Sequence, residues 1–210
     1  MLFSSRTTTV KFTRTIAGAA ATLLVALGLS ASPASAGILP TEAAVCPGQI
    51  FSQPFLSRGD LNYYTLVPGS QFDNPPEGWE LRDGARVVGA THPDGSEGYA
   101  LEMPSGSVAV SAPVCVTLQY PSARVYTNTL EGKAGVAIAV SYSETKTEAK
   151  PKPAGEAKAT QGWEASQPFS VLPQIAGKVE ETRAVRFVLT ASGNGTRTLV
   201  YGLFVDPWIR

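Results

Sequence analysis

Short runs of β-favouring residues alternate with turn residues along most of the chain. Over 136–142, Val136, Ile138 and Val140 point to one side of an extended strand, and smaller residues point to the other. Segment 63–67 is rich in aromatic and β-branched residues and ends at the turn dipeptide Pro68-Gly69. Comparable runs occur at 79–81, 85–90, 99–103, 108–111, 115–118, 124–128, 184–190 and 199–205.

These runs predict about eight to ten short strands separated by turns. No segment beyond the N-terminal region shows a convincing 3.6-residue helical repeat, so the pattern is typical of a single all-β domain, a sandwich or a barrel. Gly193, Asn194 and Gly195 lie between the last two runs and predict a hairpin there. The strand spacing alone leaves a jelly roll, an immunoglobulin-like sandwich and a barrel open.

Segment 146–159 departs from this pattern. It is polar, contains two prolines and lacks large apolar side chains. We expect an exposed polar loop that connects two strands, because a domain boundary here would leave only about 50 residues for an independent core.

The N-terminal 36 residues have the pattern of a signal peptide. Arg6, Lys11 and Arg14 precede an apolar stretch over 16–29, and the small residues Ala34 and Ala36 mark a cleavage site. The apolar stretch is shorter than the ~20 residues of a membrane span. The sequence therefore predicts cleavage after residue 36 and a secreted, extracellular domain over 37–210 with no membrane anchor.

Cleavage changes the charge of the chain. The whole sequence carries 17 basic and 17 acidic residues, and loss of three basic residues leaves a mildly acidic domain. A nucleic-acid partner is not expected without a basic excess. The 20 Gly and 16 Pro residues also exclude a coiled coil or a helical bundle. We expect a monomer.

The chain has two cysteines, Cys46 and Cys115. In an exported protein such a pair is most simply a disulfide, which would stabilise the fold by about 4 kcal/mol in the chain-entropy description. A reactive thiol or a metal ligand would be the alternative, but the chain contains no CxxC motif and one histidine, His92.

Several phrases resemble known families. Segments 52–55 (Ser-Gln-Pro-Phe), 64–73 (Tyr-Thr-Leu-Val-Pro-Gly-Ser-Gln-Phe-Asp), 78–88 and 205–210 are similar to a family of small secreted actinobacterial proteins with no established activity. The phrase around Phe72, Asp73 and Gly78-Trp79 also resembles the opening of carbohydrate-binding-like, galactose-binding-like jelly rolls. This resemblance implies a jelly-roll β-sandwich and a saccharide ligand. Trp79 stands in the apolar phrase Gly-Trp-x-Leu, and aromatic residues dominate protein cores, so we expect this side chain in the core.

The same resemblance implies a structural Ca²⁺ ion bound through Asp73 and acidic residues of the last strand. Tyr201 and Gly202 stand where those acids are expected. Since Ca²⁺ takes six to eight oxygen ligands, Asp73 would need backbone carbonyls to complete the site. Because these acids are replaced, we expect no bound cofactor; a calcium ion held by Asp73 and backbone carbonyls is the alternative.

Catalytic motifs are missing from the sequence. His92 lies in the turn-like segment 91–95, and the chain has neither a G-x-S-x-G elbow nor an HExxH motif. Glycoside hydrolysis needs only two carboxylates, and Glu80, Asp83, Asp94, Glu97 and Glu102 leave that chemistry open. The simpler interpretation of each of these carboxylates is a solvent-facing residue of a strand or turn. We therefore expect that the protein is not an enzyme.

A binding module is the better interpretation. Saccharides stack on aromatic rings and bond to planar polar groups. Strand 124–128 places Arg124, Tyr126 and Asn128 on one face, and Arg186 is a further polar residue on a strand. We therefore expect a binding site for extracellular or cell-wall carbohydrate at Arg124, Tyr126, Asn128 and Arg186, with Trp79, Tyr99, Trp163 and Trp208 as further aromatic candidates. The alternative is a structural or surface protein that acts through protein contacts.

Overall fold

A computed structural model describes residues 49–73, 76–117, 122–142, 150–171 and 182–206. These residues all belong to one compact unit, Ile38–Arg210. The predicted signal peptide, Cys46 and Trp208 lie outside the described residues. Within those ranges, no helix has the length and apolarity needed to cross a bilayer.

Two antiparallel sheets account for nearly all the secondary structure of the described residues. The first, which we call the front sheet, has the order β1-β2-β14-β5-β4, and β8 also pairs with β14 and with two short strands, β11 and β12. Its strands are β1 (Phe51–Ser52), β2 (Tyr64–Leu66), β4 (Arg86–Thr91), β5 (Glu97–Pro104), β8 (Ser122–Glu131), β11 (Glu164–Ala165), β12 (Phe169–Ser170) and β14 (Arg197–Val205).

The second, which we call the back sheet, has the order β10-β9-β13-β6-β3, with β7 also paired to β13. Its strands are β3 (Glu80–Arg82), β6 (Val108–Val110), β7 (Val114–Thr117), β9 (Ala134–Tyr142), β10 (Lys152–Ala159) and β13 (Thr182–Ser192). A 3-10 turn, Leu56–Arg58, lies between β1 and β2.

One apolar core lies between the two sheets. The front sheet contributes Leu101, Val125 and Val200, and the back sheet contributes Ile138 and Phe187. The chain passes repeatedly between the sheets, as in a jelly roll. The predicted fold class, an all-β antiparallel sandwich of jelly-roll type, is therefore confirmed.

Trp79 lies in this core, as predicted. Its indole Nε1 donates a hydrogen bond to the Pro68 carbonyl at 2.8 Å. Its ring meets the Phe72 ring edge to face, with centroids 4.9 Å apart. The turn residue Gly69 is required here, because its φ is +72° and a Cβ atom would lie 2.5 Å from the Glu77 carbonyl oxygen.

The predicted exposed loop over 146–159 is wrong for its second half. Residues 152–159 form β10, which pairs antiparallel with β9. The polar composition suits an edge strand, where charged side chains face solvent and Pro153 sits at a register shift. Ala157 is fully buried and joins the core. Residues 146–149 lie outside the described ranges.

The predicted hairpin at 193–195 is also wrong. β13 belongs to the back sheet and β14 to the front sheet, so this turn carries the chain across the sandwich. Gly193 and Gly195 both have positive φ, as a tight reversal needs. Which strands pair after such a turn is decided by the neighbouring strands β8 and β9, and the turn residues carry no information about them.

Candidate functional site

A row of four side chains crosses the outer face of the front sheet. The strand register aligns Arg86 with Glu102, Glu102 with Leu199, and Leu199 with Asn128. The residues that flank this row, such as Leu101 and Val200, point into the core. Alternation along each strand therefore turns the row of four outwards.

Glu102 provides a fixed carboxylate in the middle of this row. Its side chain is only 6% exposed. Glu102 Oε1 forms an ion pair with Arg86, and the Arg197 guanidinium lies 3.8 Å away. Arg197 in turn pairs with Glu131 at 2.9 Å. A carboxylate has several acceptor positions, so Glu102 can also accept a hydrogen bond from a ligand.

Three rings form a wall beside the row. The imidazole of His92 stacks on the Tyr201 ring, with centroids 4.1 Å apart and planes inclined by 24°. The Trp163 indole meets Tyr201 edge to face at 6.2 Å. Gly98 makes room for the histidine, because a Cβ atom there would lie 2.3 Å from His92 Cε1. Burial, followed by the nearby Asp94 charge, raises the pKa of the Tyr201 phenol.

Hydrogen bonds hold the His92 ring in place. Its Nε2 lies 2.9 Å from the Tyr99 carbonyl oxygen, and its Nδ1 lies 3.2 Å from Ser96 Oγ. The Ser96 hydroxyl donates to Asp94 Oδ1 at 2.7 Å, and this bond, with the one from the Ser96 amide, lowers the pKa of Asp94. The hydroxyl proton is thus directed at a carboxylate, whereas a catalytic serine directs it at the imidazole.

The loop Thr160–Trp163, which we call the stop loop, stands at one end of the row. The Thr160 carbonyl accepts a bond from the Thr129 amide at 2.7 Å, and the Gly162 amide donates to Asn128 Oδ1 at 3.0 Å. The Trp163 indole Nε1 reaches across the sheet to the Thr91 carbonyl at 2.6 Å. The loop is therefore attached to both β8 and the end of β4.

These groups line an open cavity of about 410 Å³. Leu130 and Leu199 supply apolar contact, Glu102 and Asn128 supply polar groups, and Trp163 and His92 supply aromatic rings. Since Asn128 Oδ1 is already bonded to Gly162, its Nδ2 group is the one left to donate to a ligand. The cavity falls within the ~300–1,000 Å³ of small-molecule sites.

Two of the predicted binding residues lie on the same face but are covered by the chain itself. Arg124 is 8% exposed, and its guanidinium bonds to the Ser166 carbonyl at 2.8 Å and to Asp60 at 2.7 Å. Tyr126 is 6% exposed and donates its hydroxyl to the Pro54 carbonyl at 2.7 Å. Segment Gln53–Asp60, which we call the cover segment, therefore fills the surface where the sequence predicted an open groove.

Phe55 is the centre of the cover segment. It is fully buried, with its ring 5.1 Å from the rings of Tyr64 and Tyr126 and 5.5 Å from that of Phe204. The Arg124 guanidinium lies over it at 4.4 Å. A pattern of alternating residues in β8 carries no information about this contact, because Phe55 comes from a distant part of the chain.

Asp60 anchors the end of the cover segment. Burial alone would raise its pKa, but hydrogen bonds from the Asn62 amide, the Tyr64 hydroxyl and Arg124 outweigh that effect and lower the pKa. The Tyr64 phenol responds in the opposite direction: burial and its bond to the Asp60 carboxylate raise its pKa to about 12. Both directions favour the ionised Asp60 that pairs with Arg124.

The other two predicted residues are separated by the sandwich. Asn128 lines the cavity, whereas Arg186 lies on β13 of the back sheet and donates to the Ser111 carbonyl at 3.2 Å. From the sequence, Glu102 is expected to be only a solvent-facing carboxylate. Its neighbours in β5, Leu101 and Met103, point into the core, and strand alternation therefore places Glu102 on the outer face.

Asp73 follows the buried Phe72 and is exposed. Within the described ranges, no group of three or more His, Cys, Asp or Glu residues could hold a metal ion. The expectation of no bound cofactor, with calcium at Asp73 as the alternative, stays a prediction. Cys115 is buried on β7, and its expected partner Cys46 lies outside the described residues, so the predicted disulfide is likewise untested.

A comparison with protein-family models and with curated proteins finds no match. Solved carbohydrate-binding modules are similar in structure. A family 61 module in complex with β-1,4-galactotriose is 15% identical, with a TM-score of 0.43, 70% of this chain covered and 100% of that one. The family 22 xylan-binding domain of Paenibacillus barcinonensis Xyn10C is 11% identical, with a TM-score of 0.47 and coverages of 69% and 94%. Likenesses this distant do not determine what the chain binds.

Proposed function

We propose that this chain is a secreted, non-catalytic module that binds extracellular or cell-wall carbohydrate in the cavity beside the stop loop. One observation carries the proposal: a tryptophan ring, two leucines, an amide donor and a fixed carboxylate acceptor line one open cavity. A sugar has an apolar C–H face and a hydroxylated rim. It can pack its face on Trp163 and Leu199 and bond its rim to Asn128 and Glu102.

The charge of the site favours a neutral saccharide. The buried Glu102 carboxylate is balanced by Arg86 and Arg197, and Arg197 is shared with Glu131. Two arginines and two carboxylates leave no net charge to attract a uronic acid or an amino sugar. The hydrogen-bonding groups that remain, an amide N–H and a carboxylate oxygen, suit hydroxyl groups.

The test is a screen of neutral glycans followed by calorimetric titration of the best ligand. We expect Trp163→Ala to weaken binding about tenfold, because an aromatic contact contributes about 0.5–1.5 kcal/mol and 1.4 kcal/mol is a factor of ten. Asn128→Ala should weaken it roughly two- to tenfold through loss of one hydrogen bond. Tyr63→Ala, which removes an exposed ring outside the cavity, is the matched control.

Unchanged affinity in Trp163→Ala would refute this site. Absence of binding to every glycan in the screen would refute the function.

A second function has its own supporting observation. Ile50 and Leu61 are 85% and 70% exposed, and Ile50 also lines a separate cavity of about 500 Å³ together with Leu66 and Phe204. Exposed apolar residues beside a cavity suit a protein partner. Ile50→Asp should then abolish retention of such a partner while leaving glycan binding unchanged.

A further inference from the structure

We propose that the site receives the end of a saccharide chain, about two or three sugars long, and excludes the interior of a polysaccharide. This inference rests on the proposed function and specifies which part of the ligand is recognised. It follows from the way in which the chain closes the cavity on two sides.

The first closure crosses the strands. The Trp163 indole donates a hydrogen bond to the Thr91 carbonyl, and the rings of Tyr201 and His92 pack next to it to form the rest of the wall. The wall is held from behind, because Arg58 donates to the Trp163 carbonyl at 2.9 Å. Beyond it the cover segment occupies the sheet face with the fully buried Phe55. A ligand that runs along the strands towards this wall therefore meets packed protein.

The second closure lies at the β8 end of the row. A chain that runs across the strands, over Glu102 and Leu199, reaches Asn128 and then the stop loop. The loop is attached there by the Thr129–Thr160 and Gly162–Asn128 bonds and by pairing of Glu164 with Thr127. Polymer grooves need an exit at both ends, and this attachment removes one of them.

An open side lies at β4. β4 is the edge strand of the front sheet in the described part of the chain, and Gly89 and Ala90 on it line the cavity. Alternation from Arg86 places Val88 and Ala90 on the outer face of this edge strand, and both line the cavity. A saccharide can enter over β4 and stop at the loop. The volume of about 410 Å³ lies in the lower part of the usual range, which fits a short terminal stretch.

The experiment compares matched lengths of the same neutral glycan: a trisaccharide, a hexasaccharide and the polymer of β-linked glucan, xylan, mannan and galactan. Titration calorimetry with the full domain gives both affinity and stoichiometry. We expect trisaccharide and hexasaccharide to bind within about twofold of each other, and about one protein to bind per polymer chain. A tenfold gain from three to six sugars, or several proteins per chain, would overturn the inference while leaving carbohydrate binding intact.

A second measurement uses blocked ends. One hexasaccharide carries a bulky group on its reducing end and another carries it on its non-reducing end. We expect one of the two to lose at least tenfold in affinity, since only one end reaches the stop loop. Equal affinity of both blocked forms and the free sugar would contradict end recognition. Failure of every glycan to bind would refute the proposed function, and the inference with it.

Discussion

Replacing Phe55 by alanine tests whether the cover segment is an integral part of the fold. The side chain is fully buried and contacts three aromatic rings and the Arg124 guanidinium. Truncation of a buried phenylalanine costs about 3–5 kcal/mol, because transfer energy is lost and a cavity remains. The three ring contacts place this site towards the upper end of that range.

The expected result is a large fall in thermal stability. For a chain of this size, 1 kcal/mol corresponds to about 2–4 °C, so Phe55→Ala should lower the melting temperature by roughly 6–20 °C. Phe55→Leu, which keeps most of the apolar volume, should cost about 1–2 kcal/mol. Differential scanning calorimetry and urea unfolding of the same samples measure both values.

The neighbouring Leu56 provides the control. It is 51% exposed, and Leu56→Ala should change the stability by no more than about 0.5 kcal/mol. If Phe55→Ala unfolds within about 1 kcal/mol of the wild type, the packing of the cover segment described above is refuted. At temperatures where the variant remains folded, glycan affinity should stay within about threefold, because Phe55 does not line the cavity.

Three further changes give distinct readouts. Asp60→Asn should destabilise the fold by about 3 kcal/mol near neutral pH. Because folding lowers the pKa of Asp60 from 3.8, the ionised carboxylate stabilises the fold at pH values above 3.8. The difference in unfolding free energy between wild type and variant should therefore disappear as the pH falls below 3.8 and Asp60 is protonated. Gly98→Ala should weaken glycan binding about tenfold in calorimetry, since the new methyl group would displace the His92 ring; unchanged affinity would exclude that ring from the site. Gly69→Ala should lower the free energy of unfolding in urea by about 2–4 kcal/mol, because the residue has a positive φ and the new Cβ atom would clash with the backbone. Gly59 also has a positive φ but lies in open space, so Gly59→Ala should cost about 1 kcal/mol. Equal losses of stability in the two variants would refute the clash at Gly69.

Part of the candidate site could be predicted from alternation alone. The β8 pattern places Arg124, Tyr126 and Asn128 on one face, and the structure finds them on one face. Alternation is a local property of an extended backbone, so it can be predicted from the sequence without any knowledge of the fold. It does not tell which of these residues meets solvent, because that depends on segments far away in the sequence.

The same distinction explains the two wrong predictions about strands. Segment 152–159 has the composition of a loop, yet β9 offers it a row of backbone hydrogen-bonding groups and the core accepts Ala157. Pairing with a neighbour outweighs weak local preference at a sheet edge. The sequence correctly predicts a turn at 193–195. The two strands that flank it lie in opposite sheets because β13 pairs with β9 and β14 pairs with β8.

The sequence by itself determined the class of the domain and its short strands, which follow from short-range periodicity and turn chemistry. It also determined the burial of Trp79, which follows from the apolar residues around it. The tertiary structure alone decided where a ligand can bind. It brought Phe55 onto Arg124 and Tyr126, closing the predicted groove. It also carried Trp163 across the sheet to Thr91, and so built the cavity around Asn128 and Glu102. The physical reason is that these contacts join residues about 70 positions apart, and their energy exists only when the whole sandwich has formed.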